Sequence, residues 1–348
     1  RQLELTDGPA RLSALVRDHS WRESFHGNKT ELTCEIIIDT RPPAIDVISR
    51  LHYLTRGGCG LVVYRVSEEG RAGVALDYLF FPSLPVEAAD PTLRQCLFGL
   101  PYNLGPEKKP VIKAFDLAGN ESFAAFNHSI RSRRLRHRKI NITPAFLTTE
   151  MVEFRAHYPD LPGNDIEAFL VINRDIRRQN NETIREITLP LTPQKLWEGA
   201  FIQLANSART AGFADQRTYF FAGREIDRQV HMGLDLASTA QADVPAGNRG
   251  RVVFADYLGI YGQTVILDHG QGLYSLYGHL SSLAVVVGQE LEAGEKLGRT
   301  GKTGLAGGDH LHLAMICHGV YVNPLEWLDG RWIEHNITSK VEAALRKD

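Results

Sequence analysis

The chain has 348 residues, 43% hydrophobic and 23% charged, a balance that fills cores in two or three domains and argues against disorder. With 39 basic and 41 acidic side chains, the near-zero net charge excludes bulk attraction to nucleic acid or to an anionic membrane. No run of 18 apolar residues occurs, and the opening stretch RQLELTDGPARLSALVRDH has no apolar core, so a signal or membrane anchor is expected only outside these residues. Four cysteines, Cys34, Cys59, Cys96 and Cys317, lack the C-x-x-C spacing of a redox or zinc pair. They read as buried small residues or as one disulfide among the first three.

In chain order, LTCEIII (32 to 38), LVVYRV (61 to 66) and PVIKAFD (110 to 116) are strand-forming runs separated by Gly, Pro, Asp and Asn, a spacing that predicts antiparallel sandwiches. Two phrases, IDTRPPAIDV at 38 to 47 and AFDLAGNESF at 114 to 123, resemble the opening and closing strands of bacterial Ig-like domains. The resemblance implies that 1–41 is part of one such module and 42–129 a complete one. The basic run RSRRLRHRK, 131 to 139, reads as a solvated linker or strand edge, or as a patch for an anionic surface such as a phosphate-bearing polymer. Apolar positions at helical spacing behind an Asn/Asp cap predict a helix over 164 to 186, and PQKLWEGAF, 193 to 201, predicts another. Residues 130–205 are therefore expected to be a partly helical connector. From 206 to 337 the pattern is short strands and tight turns, with DHGQG (268 to 272) as a hairpin turn, and 338–348 is left as a C-terminal tail.

The chemistry concentrates in that last β region. GDHLHLAM, 308 to 315, places His310 and His312 at i and i+2, on one face of a strand and within reach of one small object. VHMGLDLA places His231 four residues before Asp235, about 13 Å apart on a straight strand and too far for one ion. Gly233 between them offers a bend. His279 in LYGHLSS adds a further imidazole, and four histidines with an aspartate in one β domain point to a metal.

These segments resemble the M23 family of zinc metallopeptidases, the lysostaphin-like and LytM-like peptidoglycan endopeptidases, over roughly 206 to 330. HMGLDLAS is similar to the H-x-x-x-D motif, YGHLSSLAVVVGQELEAGEKLGRTGKTG to the middle signature, and GDHLHLAM to the H-x-H motif. The resemblance implies a mainly β chain: N-terminal Ig-like β-sandwich modules, a partly helical connector, and a LytM-like antiparallel, barrel-like peptidase domain at 206–337. It implies His231, Asp235 and His312 as ligands of a zinc ion (Zn2+), and His279 and His310 as the catalytic pair. It implies peptidoglycan peptides as the partner and the bacterial periplasm or cell envelope as the location.

Two departures stand out: Asp309 where the family often has Pro, and Leu313-Ala314 where it often has Phe-Glu. Asp309 reads either as a carboxylate acting on His310 or as a cap of a solvent-facing turn. The rival reading is a catalytically silent or occluded M23 protein that regulates or scaffolds other wall hydrolases, its connector covering the groove or donating a fourth ligand. A cupin would need a Glu after the H-x-H pair, and a P-loop a Gly where Lys296 stands. His269 and His318 read as structural or exposed, and Arg217 and Tyr219 as groove or scaffold.

Overall fold

The computed structural model describes residues 6–21 and 27–346; the remaining residues at the start of the chain and at its end lie outside that description. Strands Gly8–Arg17 and Lys29–Ile38 pair in a two-stranded antiparallel hairpin running from Gly8 opposite Ile38 to Arg17 opposite Lys29. Leu12, Leu15, Leu32 and Ile37 are exposed on it, and no third strand joins it among the described residues.

Residues 45 to 124 build two four-stranded sheets. One runs Ile45–Val47, Cys59–Val66, Asp90–Gly99, Leu84–Glu87; the other runs Glu121–Ala124, Val111–Phe115, Arg71–Leu76, Leu79–Pro82. Val62, Tyr64 and Phe98 of the first meet Val74, Leu76 and Ile112 of the second in one buried core. The alternate side chains Cys59, Leu61 and Val63 are also buried, in a different core shared with Trp197, Met315, Cys317 and Trp327. LVVY is thus apolar at four successive positions because its sheet is covered on both faces there, where a half-exposed strand would alternate. All four cysteines are free thiols, Cys34 exposed and the other three buried.

The basic run ends in a strand. His137–Ile142 pairs in parallel with Asp215–Phe221, which in turn pairs antiparallel with Arg224–His231. His137, Lys139 and Asn141 face solvent while Ile142 is buried; Arg138, on the other face of this edge strand, pairs with the buried Asp215 at 3.1 Å. Two helical segments follow. Pro144–His157 starts at Thr143, whose hydroxyl accepts from Phe146 N, with Pro at the first turn. Asp165–Val171 starts at Asn164, widens into a π-helical turn at Ile172–Ile176 and continues as Arg177–Ile187.

The helix expected over 193 to 201 does not form. Its backbone bonds leave the segment: Leu196 N donates to His269 O, Glu198 N to Asn248 Oδ1 and Phe201 N to Trp327 O. Trp197 and Phe201 are buried against Trp327. Tertiary burial of two aromatic rings outweighs a weak local preference.

The main sheet has eight strands, Ala208–Ala211, Leu234–Ala237, Leu311–Cys317, Leu273–Leu280, Gln263–Asp268, Gly250–Tyr257 and Glu290–Leu291 in spatial order, with Val320–Val322 also paired to Leu311–Cys317. All its pairings are antiparallel. The DHGQG segment is its tight turn, where Gly270 has φ +81° and a Cβ would lie 1.7 Å from Gln194 O. Opposite pairs Leu276/Ala314 and Tyr274/Ile316 sit under the connector helices, sharing a core with Met151, Phe154, Phe169 and Ile172. Ser339–Leu345, within the stretch expected to be a tail, is helical, and Ile337 and Ala344 share the core of Cys59, Leu61 and Val63. No helix among the described residues is long and apolar enough to cross a membrane.

Candidate metal centre and active site

His312 lies in the middle of the main sheet, directly opposite Asp235 on one neighbouring strand and Gly278 on the other. Cross-strand partners stand about 4.5–5.5 Å apart at Cα, so Asp235 and His312 meet through sheet register alone. His231 arrives differently. It ends a strand of the three-stranded sheet, and after Met232 and Gly233 the chain enters the main sheet as Leu234–Ala237. The change of sheet shortens the distance that a straight strand would impose.

Gly233 serves this junction by close approach. Its φ is not left-handed, but a Cβ there would lie 2.6 Å from both Cε1 and Nε2 of His312 and 2.7 Å from Leu313 O. The chain bends at Gly233 as expected, and the glycine has a steric role as well: it lets the His312 ring lie against the chain.

Three donor atoms converge. His231 Nε2 is 2.9 Å from Asp235 Oδ1 and 3.1 Å from His312 Nδ1, and His312 Nδ1 is 3.0 Å from Asp235 Oδ1. All three residues are buried, between 4% and 8% exposed. Each is fixed by its other polar atom or by lack of one. His231 Nδ1 donates to Gly212 O at 2.8 Å, which leaves the Nε2 lone pair bare. Asp235 Oδ2 accepts from Arg217 Nη2 at 2.9 Å, leaving Oδ1 for the centre. His312 Nε2 is enclosed with no partner.

The donor set fits a zinc ion. Two nitrogens and one carboxylate oxygen are typical zinc ligands, and donors about 2.0–2.2 Å from a tetrahedral zinc stand roughly 3.3–3.6 Å apart. The observed triangle is a few tenths of an ångström tighter. Two buried ring nitrogens 3.1 Å apart beside a carboxylate are an arrangement a cation stabilises.

Two more imidazoles face the same centre. His310 Nε2 lies 3.6 Å from Asp235 Oδ1, and the His279 and His310 ring centroids are 4.7 Å apart. Backbone carbonyls orient both rings: His279 Nδ1 donates to Thr303 O and His310 Nδ1 to Gly308 O, each at 2.8 Å. Each neutral ring therefore keeps its proton on Nδ1 and its lone pair on Nε2. His279 has φ +61°, uncommon for a residue with a Cβ. Across this point the register shifts, Val265 opposing Tyr277 but Gln263 opposing Leu280, and such a bulge re-aims a side chain.

Electrostatics separate these groups. Burial opposes the Asp235 charge, but the His231 imidazole and the hydrogen bonds from His231, His310 and His312 together outweigh it and hold the carboxyl well below its ordinary range. Burial also works against a charged His310, yet the Asp235 carboxylate raises it. Burial, then the neighbouring His310 and His312, push His279 well down. His312 is pushed down to about 4, chiefly by burial.

The centre opens into a cavity of about 390 Å³. The main sheet and the 305 to 307 loop form one side, while Ile142, Phe146 and Phe169 of the connector form the other. Arg217 and Tyr219 line it, two positions apart on one face of their strand; the sequence offered them as groove or scaffold, but not the Arg217 grip on Asp235. The carbonyls of Gly212, Thr303 and Gly308 have no sequence signal, since any residue supplies one. Asp309 Oδ2 accepts from Gln241 N at 3.1 Å and so ties down a loop. His269, bonded to Arg249 O and Ser275 Oγ, and His318, packed 5.9 Å from the Phe81 ring, are buried and do not line the cavity.

Residues 229–324 match the sequence profile of peptidase family M23. Over 96 residues the chain is 36% identical to the murein hydrolase activator EnvC of Escherichia coli, covering 28% of this chain and 23% of that protein. Over 97 residues it is 35% identical to the DD-carboxypeptidase/endopeptidase Mpg of Neisseria meningitidis serogroup B, covering 28% and 22%. The matched part thus spans less than a quarter of these curated relatives. A crystal structure from Pseudomonas aeruginosa described as a peptidase M23 shares the fold, with a TM-score of 0.51 at 19% identity over 79% of this chain and 95% of that one.

Proposed function

Because residues 229–324 are an M23 peptidase domain, we propose that this protein is a zinc-dependent endopeptidase that hydrolyses peptide bonds in the stems or crosslinks of bacterial peptidoglycan, in the periplasm or cell envelope. The observation that carries the reading is the buried triangle of His231, Asp235 and His312 with two further Nε2 atoms facing it. Three protein ligands are the number that leaves a position open for reaction. Zinc, when bound there, supplies the Lewis acidity that activates water near neutral pH and polarises an amide. Arg217 holds Asp235 to one ligand oxygen, and Gly212 O holds His231 in the ligating tautomer. The Nε2 atoms of His279 and His310 are the proton-carrying groups: one accepts a proton from water and returns it to the leaving amine, while the other hydrogen-bonds the oxygen on which charge develops. The relatives named as a DD-carboxypeptidase/endopeptidase and a peptidoglycan DD-endopeptidase favour the same substrate class.

Digestion of purified peptidoglycan tests this. New amines and shortened muropeptides are expected with the zinc-loaded chain, lost on chelation and restored by zinc; intact wall material under all three conditions would refute it.

A second reading, an occluded or silent regulator, has its own support. The connector helices cover the sheet face beside the centre, Glu153 Oε1 accepts from Gly304 N at 2.7 Å across that junction, and one relative is named as a hydrolase activator. Removing residues before 206 would expose Ile266, Leu276 and Ile316, so truncation perturbs folding as well as access. Glu153→Ala loosens the same junction locally, and a rise in hydrolysis of at least severalfold over wild type would mark occlusion.

A further inference from the structure

A second cavity, of about 560 Å³, shares Arg177 with the first. Most of its arginines are already answered: Arg174 by Asp227 at 2.9 Å, Arg178 by Glu182 at 3.3 Å and Arg228 by Glu225 at 2.6 Å. Arg177 is not. It donates Nε and Nη2 to the carbonyl and side-chain oxygens of Asn173, at 3.1 and 2.6 Å. It meets no carboxylate among the described residues, and its Nη1 has no partner there yet is not sealed from solvent. A guanidinium keeps its charge at any working pH, so this half-buried cation stands at the wall of the cavity with one edge unspent.

Its distance from the chemistry follows from the packing. Arg177 is one helical turn before Asn181, on the same face. Asn181 Oδ1 accepts from the Tyr261 hydroxyl at 3.0 Å, and the Tyr261 ring lies 5.3 Å from the His312 ring. About two residues of extended chain, at roughly 3.3–3.6 Å each, cover the span from His312 past Tyr261 to its hydroxyl end. On the connector side of the wall Ile142, Phe146 and Phe169 are apolar, Asn141 and Thr143 are uncharged, and Arg177 carries the positive charge, so Arg177 is the place where an anionic group of a peptide would be recognised. Arg217 also lines the cavity, but it holds Asp235 Oδ2 through Nη2 at 2.9 Å and its Nε is sealed from solvent, so it stands beside the metal ligands and not two residues along the peptide.

We propose that Arg177 binds a carboxylate of the peptide substrate, about two residues from the bond that is cut, and selects acidic over amidated peptides. The proposal rests on the peptidase reading above. The carboxylate is either the chain terminus or an acidic side chain, both present in wall stems.

The test uses synthetic crosslinked stem peptides containing a D-Ala to diaminopimelate bond, in three forms: free acid, C-terminally amidated, and side-chain amidated. Dissociation constants are read by calorimetry on zinc-loaded His310→Ala, with and without Arg177→Gln, and KM and kcat on the chain with native His310. The expected result is that Arg177→Gln weakens binding of the free acid roughly tenfold to a hundredfold more than binding of one amidated form, in KM rather than kcat, while Arg177→Lys loses less. The amidated form that already binds weakly to wild-type Arg177 identifies which carboxylate is read. Equal binding of all three forms by the Arg177 protein, or equal loss on all three in Arg177→Gln, overturns the proposal while leaving the peptidase reading intact. Failure of the native chain to bind or cut any form overturns both. Melting curves of both Arg177 variants in the same buffer separate a binding loss from unfolding.

Discussion

Gly233→Ala is the smallest change that tests how the centre is built. The new methyl would lie 2.6 Å from His312 Cε1 and Nε2, against 3.4 Å for ordinary contact, so the ring or the chain must yield by about 0.8 Å. Metal–ligand distances tolerate about 0.2 Å, and the carbonyl of Leu313, 2.7 Å from the same methyl, blocks the other escape. His312 Nδ1 therefore leaves the triangle. We expect zinc affinity to fall at least tenfold to a hundredfold, the range for disturbing ligand support, with about 1–3 kcal/mol of overpacking in the metal-free fold. Competition against a chromogenic zinc chelator gives the first quantity and urea unfolding of the metal-free protein the second. Zinc affinity within twofold of wild type and an unchanged unfolding midpoint would refute the close-approach argument.

Arg217→Ala frees Asp235 Oδ2 and leaves the buried carboxylate without its cation; zinc affinity is expected to change about tenfold or more, and titration within twofold of wild type would contradict the clamp. Phe169→Ala, in the core shared by connector and main sheet, should cost about 3–5 kcal/mol in a single unfolding transition; a separate early transition that leaves the peptidase core intact would show that the connector is only appended. Glu326 is held at about 8 because burial outweighs the Cys59 N–H bond and the Arg133 charge. The folded chain then holds a proton that the unfolded chain loses above about 4.5, so this residue makes stability fall as pH rises from about 4.5 to 8, by at most about 1.4 kcal/mol per unit. Glu326→Gln should flatten the curve in that window and gain on wild type toward pH 8; parallel curves from pH 5 to 8 would contradict it.

The sequence exposed the centre through side-chain types at fixed spacing. His310 and His312 share a strand face by parity, and the structure sets His231, Asp235 and His312 within contact distance. What spacing could not convey is how His231 reaches the others, by a change of sheet past a steric glycine, or how His279 is turned inward by a bulge. The alternating pattern of HRKINI was masked by its charges, because an edge strand with a solvent face looks like a linker. PQKLWEGAF looked helical because the distant Trp327, Asn248 and His269 that claim its backbone are invisible locally. The helical stretch over 164 to 186 was legible, but Pro144–His157 was not singled out, and the burial of both against Leu276 and Ala314 depends on strand order, which no local pattern encodes.

The most direct test of the central claim compares zinc content and amine release from peptidoglycan for wild type, His310→Ala and His312→Ala side by side. The account requires about one zinc in wild type and His310→Ala, a strong loss of zinc in His312→Ala, and hydrolysis by wild type alone. Loss of zinc from His310→Ala, or full zinc in His312→Ala, would contradict the division of this centre into three ligands and two proton-carrying imidazoles.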